Sequence, residues 1–364
     1  MSLGELVRET VWQRRGVAGQ LGYLALRPLS GLFGIGVGLR GLGYRIGVLR
    51  TRRAAMPVVS VGNLAVGGTG KTPVALWLAR TLAARGIRVG LLSRGYGGSA
   101  RGVVVVSRGE GPEMGPDVVG DEAVMVAKSF AGPVITAPRR IDGAAAAAEL
   151  GCELLVLDDG FQHRAIARAF DLVLVDGRRG PLLPAGPLRE PLGALRRAHA
   201  VLLVERDETD AVTPPLARTV PTYRMHLEAV SLVESVERRW RERPIGQLAT
   251  QRVVAVTGVA RPEGFYALLR RWEAVIDEVF EYPDHHPYTR EDWQQIARRG
   301  HSADLIVTTE KDLVKLEAFP FATGKLVALR IAPQVERAEE LVAAILSTTG
   351  LQTHPVEDHR NGHQ

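Results

Sequence analysis

With one cysteine in 364 residues, Cys152, the chain can form no internal disulfide, which fits a reducing compartment such as the cytosol. Cys152 itself reads as a small core residue. Acidic side chains are missing from a whole stretch: no Asp or Glu lies between Glu9 and Glu110, where Arg14, Arg15, Arg27, Arg40, Arg45, Arg50, Arg52, Arg53 and Lys71 all fall. Such a field draws polyanions (nucleic acid, anionic lipid headgroups or a phosphorylated substrate) unless it is only a solvated arginine-rich surface. Aromatic residues make up 5% and are spread along the chain, so the stacking platforms of a nucleic-acid-binding protein are not supplied. Long apolar runs are lacking too. Residues 17–48 are apolar but interrupted by Arg27, Pro28 and Arg40, short of the about 20 unbroken residues of an ordinary membrane span. No small-residue cleavage site follows a charged start, which argues against a removed signal peptide. Two readings of this segment stay open: helices lying in a membrane interface with snorkelling arginines, or a buried pair of core helices.

What the chain does have, beyond residue 55, is a rhythm of short apolar runs and helical stretches. "MPVVSVGN", "RVGLLSRG", "VVVVS", "PVITAP", "ELLVLDDG", "FDLVLVDG" and "AVLLVER" read as buried strands, with a helix over 72–84 between the first two. Runs apolar on both faces and separated by helices predict an α/β fold, a parallel sheet sandwiched between helices. From Tyr223 the alternating "TYRMHLEAVSLVESVERRW" reads as an exposed β-ribbon. A second, smaller α/β set follows: "RVVAVTGVA", a helix over 262–272, "AVIDEVFEYP", a helix over 289–299, "DLIVTTEKD", "KLVALRIAP" and a last helix near 338–346. The expected organisation is an N-terminal membrane-associating segment (1–55), a core (56–222), a ribbon connector (223–242), a second lobe (243–330), and a returning helix with a polar, frayed tail (331–364).

Between the first strand and helix lies "VGNLAVGGTGKTP", at 61–73. A phosphate-binding loop reads G-x-x-x-x-G-K-[ST] and would begin with glycine where this chain has Ala65. Gly67, Gly68 and Gly70 nonetheless let backbone amides turn inward around an anion, and the helix that follows aims its positive end at the same spot. The run Ala65, Val66, Gly67, Gly68, Thr69, Gly70, Lys71 and Thr72 is therefore expected to cradle nucleotide phosphates, with Lys71 reaching the β- and γ-phosphates and the Thr72 hydroxyl ligating magnesium. "LLVLDDG" puts Asp158 and Asp159 at a strand end, where they either handle that metal or cap the next turn. Asp121 and Glu122 open a helix, as ordinary caps or, for the functional reading, as a general base for an acceptor hydroxyl. Asp284, His285 and His286 fall in a turn, where two histidines without a distant partner read as surface residues.

Taken in order, "VGNLAVGGTGKTP", "LSRGYGG", "GDEAVMVA", "LDDGFQHR", "LPAGPLREP", "YPDHHPYT" and "TTEKDLVKL" resemble the tetraacyldisaccharide 4'-kinase (LpxK) family over about residues 28–331. DDGFQH and GPLREP are the most specific of these. The resemblance implies a P-loop NTPase-like core, a second α/β lobe joined by a β-ribbon, and an N-terminal membrane-associating segment. It implies that ATP, with Mg2+, phosphorylates the 4'-hydroxyl of a tetraacylated, 1-phosphorylated glucosamine disaccharide at the cytoplasmic face of the bacterial inner membrane, without an obligate protein partner. By the same resemblance Ala65 is a family trait, Asp121 is the catalytic base assisted by His285, and Asp158 and Asp159, with Glu122 nearby, handle magnesium. Ser93, Arg94, Tyr96, Arg140, Gln162, His163 and Glu190 fall on the lipid side, with Arg139 as the neighbouring choice to Arg140. The chief alternative is a membrane-associated P-loop ATPase acting as a switch, whose class carries a lysine at the start of its GG loop, where this chain has Val66.

Overall fold

The computed structural model describes residues 7–178, 180–205 and 219–353, so the tail expected to fray, at 354–364, lies outside the described residues. After a short π-helical turn (Val7–Trp12) the elements are α1 (Gly16–Arg45), β1 (Val58–Asn63), α2 (Lys71–Ala83), β2 (Val89–Ser93), β3 (Val104–Ser107), α3 (Asp121–Ser129), β4 (Val134–Thr136), α4 (Arg140–Glu149), β5 (Leu154–Asp158), β6 (Phe170–Val175) and β7 (Ala200–Val204). They continue with β8 (Thr222–Val236), β9 (Arg239–Pro244), β10 (Arg252–Thr257), α5 (Glu263–Arg271), β11 (Val275–Glu281), α6 (Arg290–Gly300), β12 (Leu305–Thr309), α7 (Glu310–Leu316), β13 (Leu326–Val335) and α8 (Ala338–Thr349).

Among the described residues the strands form one sheet in the order β11-β10-β12-β13-β8-β7-β6-β1-β5-β2-β4-β3, with β9 paired to β8. β1 lies in the middle, parallel to β5 on one side and β6 on the other, and all six of its residues are buried. A strand covered by helices on both faces needs apolar residues throughout, which is why "VVSV" and "LLVL" run without alternation. Val74, Leu78 and Leu82, one turn apart on α2, are fully buried in the same core as Val59, Val61, Leu154 and Val156. The returning helix α8 adds Leu341, Val342 and Ile345 to that core.

Three expectations change. β3, read as one of the parallel series, pairs antiparallel with β4 at the sheet edge. No helix separates it from β2, so the chain stays at the carboxyl end of the sheet and can only run back down. The ribbon beginning near Tyr223 does pair antiparallel with β9, but β8 also pairs parallel with β7 and antiparallel with β13, making one continuous sheet of the two α/β sets.

The N-terminal segment is neither broken at Pro28 nor buried. α1 runs through Pro28 as one 30-residue helix in which only Gly19 and Ser30 are buried, which rules out the core helix pair. By length and composition it is long and apolar enough to cross a membrane. At about 100° per residue, Pro28 falls on the same outer face as Leu21, Leu32, Ile35 and Leu39, all more than 60% exposed, so its missing hydrogen bond lies away from the contact with the core. On the inner face, Ser30 Oγ accepts from Ala185 N at 2.9 Å and donates to Leu182 O at 2.8 Å, and Arg164 stacks 4.8 Å over the Tyr44 ring.

Candidate active site

Loops at the carboxyl ends of β1, β5 and β2 converge, as ligand-binding loops of open α/β sheets do. After β1 the chain makes its glycine turn with Gly67 at φ 100° and Gly70 at φ 82°, conformations that side chains oppose. Gly70 is the N-cap of α2 and offers no capping side chain, so the first amides of α2 are left for a ligand. Ala65 is 5% exposed, bridges to Leu188, and has no positive φ, so a glycine there would add nothing. Val66 N donates to Pro187 O at 2.8 Å and its carbonyl accepts from Arg178 Nη1 at 2.6 Å. The Val66 amide, expected to help bind phosphate, is thus already committed, and the rest of the run, from Gly67 to Thr72, makes the glycine turn and opens α2. Gly68 also departs from expectation: its φ is not positive, and a Cβ there would meet nothing within 4 Å. Thr69 is buried, its hydroxyl accepting from Asn63 Nδ2 at 2.8 Å.

Beneath the loop, Thr72 Oγ1 donates to Asp158 Oδ2 at 2.7 Å, while the buried Asp158 Oδ1 has no hydrogen-bond partner. Burial above all, with the Glu122 charge beside it, pushes the Asp158 pKa up to about 6. Thr72, Ser93, Glu122 and Asp158 line one cavity. An orphaned carboxylate oxygen beside a hydroxyl and a second carboxylate is what a divalent cation would satisfy. Among the described residues no group of three or more His, Cys, Asp or Glu side chains forms a metal cage, and Mg2+ needs none, taking one or two carboxylates plus substrate phosphates. Asp159, in the left-handed region at φ 55°, is used differently. Arg189 Nη1 bonds both its oxygens, at 3.0 and 2.8 Å, and Lys71 Nζ stands 3.8 Å away. Burial alone would raise the Asp159 pKa, but Lys71 and Arg189 outweigh it and hold the carboxylate ionised.

The Asp158 shift has a consequence for stability. A carboxyl whose folded pKa lies above its unfolded value binds its proton more tightly when folded, so stability is lost as pH rises from about 4 through about 6. Asp158→Asn, which keeps an acceptor for Thr72, is therefore expected to raise the melting temperature of the nucleotide-free protein at neutral pH by a few degrees while reducing turnover at least ~100-fold. A melting temperature that falls instead would show that the buried charge is already compensated.

Across the cavity, the N-cap of α3 is Gly120, whose φ is 89° and where a Cβ would collide with the Tyr96 carbonyl oxygen. Only glycine lets the "RGYGG" loop approach so closely, and this seats Asp121 beside it. Asp121 is 6% exposed and its Oδ2 lies 3.1 Å from Nδ1 of His285, which comes from the other end of the sheet after β11. His285 sits at φ 64°, an uncommon conformation that costs about 1 kcal/mol and points to a functional constraint. The Tyr96 ring lies 5.5 Å from the His285 ring. Burial would raise the Asp121 pKa, yet the His285 hydrogen bond and the Lys311 and Lys315 charges lower it. The His285 pKa is raised, first by that same hydrogen bond. So the histidine expected to be a surface residue has a distant partner. His286 does not join it: it stacks on Tyr282 and bonds Asp292 Oδ2 at 3.0 Å.

The residues assigned to the lipid side by resemblance are only partly together. Arg140 is 4% exposed, donates to Ala137 O at 2.7 Å and has no partner at Nε, whereas Arg139 pairs outward with Asp142. Burial lowers the Arg140 pKa to about 10, with Asp159 raising it and exposed Arg94 lowering it. Burial, then Arg140, Arg168 and Arg94, push His163 down to about 4, leaving it neutral. Gln162 Nε2 donates to Asn63 O at 2.8 Å. Glu190 is turned away into ion pairs with Arg197 at 2.6 Å and with Arg40 of α1 at 3.2 Å.

A phosphate loop on a central parallel strand, with a Thr–Asp pair under it and an acid–histidine pair across the cavity, is the equipment of a P-loop phosphotransferase with a hydroxyl acceptor. The family model for LpxK, described as tetraacyldisaccharide-1-P 4'-kinase, matches residues 23–349. The chain belongs to that family. It is 40% identical over 354 residues to a tetraacyldisaccharide 4'-kinase of Anaeromyxobacter sp. (strain Fw109-5), covering 94% of this chain and 95% of the relative. It is 41% identical over 298 residues to one from Syntrophotalea carbinolica, with 80% and 82% covered. A crystal structure of the "apo" form of LpxK from Aquifex aeolicus in complex with ATP superposes with a TM-score of 0.78 at 31% identity, covering 90% of this chain and 99% of that one.

Proposed function

We propose that this ATP-dependent kinase of lipid A synthesis transfers the γ-phosphate to the 4'-hydroxyl of a tetraacyldisaccharide 1-phosphate with Asp121 as the base and His285 as its orienting partner. The observation that carries the residue assignment is the 3.1 Å contact between Asp121 and His285, two residues 164 apart in sequence. Asp121 takes the hydroxyl proton as the hydroxyl oxygen bonds the γ-phosphorus. The bond from that phosphorus to the β,γ-bridging oxygen breaks, and ADP leaves with the electron pair. Lys71 and the amides from Gly67 to Thr72 hold the phosphates, and Asp159, fixed by Arg189, steadies Lys71. Thr72 and Asp158, with Glu122, fit Mg2+, which when bound would neutralise charge on the β- and γ-phosphates. Arg94 and Arg140, whose crowding an anion would relieve, suit the phosphate already on the lipid. Glu190 serves that side by holding Arg40 and Arg197 rather than by bare contact with substrate.

The side-on docking of α1 supports a place at the membrane surface. Its inner face is bound to the core from Ser30 to Tyr44, so the helix lies along the protein with its outer face free for the bilayer interface, on the cytoplasmic side where ATP is found. Replacing Leu32, Ile35 and Leu39 together by Ser is expected to weaken liposome flotation at least ~10-fold. Unchanged flotation would remove α1 as the anchor. The reaction itself is tested by incubating the protein with γ-labelled ATP, Mg2+ and the disaccharide 1-phosphate in detergent. Label in the lipid at the 4'-position is expected, and ATP hydrolysis without labelled lipid would favour the switch ATPase.

A further inference from the structure

Both ring nitrogens of His285 are engaged. Nδ1 lies 3.1 Å from Asp121 Oδ2, and Nε2 lies 3.1 Å from Nζ of Lys311 on α7. A lysine ammonium has three donors and no acceptor, so Nε2 can only accept, and the ring proton must sit on Nδ1 facing Asp121. We propose that Lys311 is a positioning residue for phosphoryl transfer: by donating to Nε2 of His285 it fixes the tautomer and ring orientation with which His285 holds Asp121. The inference rests on the reading of Asp121 and His285 as a functional pair.

Lys311 is itself held firmly. It donates to Asp284 Oδ1 at 2.7 Å, stands 3.9 Å from Glu122 Oε1, and its side chain is 14% exposed. α7 is anchored beneath it by Asp312, fully buried, which accepts from Gly258 N at 2.9 Å and Thr309 Oγ1 at 2.7 Å. One turn on, Lys315 Nζ lies 3.6 Å from Asp121 Oδ2 and 3.4 Å from Asp312 Oδ1. The charged groups facing His285 are therefore Asp121 and Glu122 from α3, Asp284 from its own turn, and Lys311 and Lys315 from α7. The next group along from Nε2 is Asp284 Oδ1, at 3.9 Å. Without the ammonium between them, that carboxylate would draw a proton onto Nε2, and Asp121 would face either a bare Nδ1 lone pair or an imidazolium.

The test uses full-length protein in detergent, labelled with 15N-histidine, with the His285 ring signals assigned by their loss in His285→Gln. In the wild type, His285 is expected as the Nδ1–H tautomer, the minor neutral form of free histidine. In Lys311→Met the signals should move to Nε2–H or to imidazolium, and kcat for lipid phosphorylation should fall ~10- to 100-fold with KM for ATP changed less than about 2-fold. Lys311→Arg, which keeps a donor, should keep the wild-type tautomer. A wild-type ring found as Nε2–H overturns the proposal even if Lys311→Met does not fold, as does a Lys311→Met protein with the tautomer unchanged. If His285→Gln leaves kcat intact, it is the pairing of Asp121 with His285 that fails. An impaired His285→Gln beside a wild-type Nε2–H ring fails the Lys311 assignment alone.

Discussion

Asp121→Asn is expected to lower kcat for lipid phosphorylation by ~10^2 to 10^4 while leaving ATP affinity within about twofold. The substitution keeps the shape of the side chain and removes its capacity to take a proton. Asp121 makes no hydrogen bond to the loop from Gly67 to Thr72; its carboxylate meets His285, Lys315 and the amide of Glu122. A group that acts only when the hydroxyl is being deprotonated affects kcat and kcat/KM together and binding little. Equal losses in turnover and in nucleotide affinity would instead mark Asp121 as a structural cap of α3. The lowered Asp121 pKa also sets a sign. Its charge contributes stability above the ordinary carboxylate range and loses it as pH falls through the depressed folded value, so the pair holds through neutral pH.

Lys71→Met should reduce kcat by ~10^2 to 10^3 and weaken ATP binding by ~10- to 100-fold, a different signature from that of Asp121→Asn. Lys71 opens α2 directly after Gly70, and its ammonium is kept close to the cradle by Asp159 at 3.8 Å. Asp159 retains Arg189 when Lys71 is gone, so the loop should stay folded. Equilibrium binding of ATP and single-turnover lipid phosphorylation separate the two effects. Turnover within about threefold of wild type would place the γ-phosphate away from Lys71.

The phosphate loop was legible because strand, glycine turn and helix are local. Its apparent defect at Ala65 was not: that residue bridges to Leu188 more than a hundred positions later, a contact no local pattern records. Arg189 and Arg178, which clamp Asp159 and the loop, carry no local signal for the same reason, although Arg189 lies inside the family-specific "GPLREP". Lys311 and Lys315 lie inside "TTEKDLVKL", a stretch whose residues carry no role in the sequence alone, since their meaning depends on α7 packing beside α3. His285 read as a surface residue for want of a partner that only the continuous sheet supplies, while the resemblance to the family put it with Asp121. The N-terminal segment misled in the opposite way. Pro28 looked like a break, but it sits on the outer face of α1, where losing one hydrogen bond does not disturb the docked side. Glu190, set on the lipid side by resemblance alone, is buried in ion pairs with Arg40 and Arg197, contacts across the fold that no local pattern records.

We propose that Asp121 and His285, brought from the two ends of the sheet, act on the acceptor hydroxyl as one unit. Single-turnover transfer of labelled γ-phosphate to the disaccharide in Asp121→Asn, His285→Gln and the double variant measures this directly. If the two residues act as a unit, the double variant is no slower than Asp121→Asn alone, within about twofold. Losses that multiply would separate the two residues into independent roles and exclude a shared one.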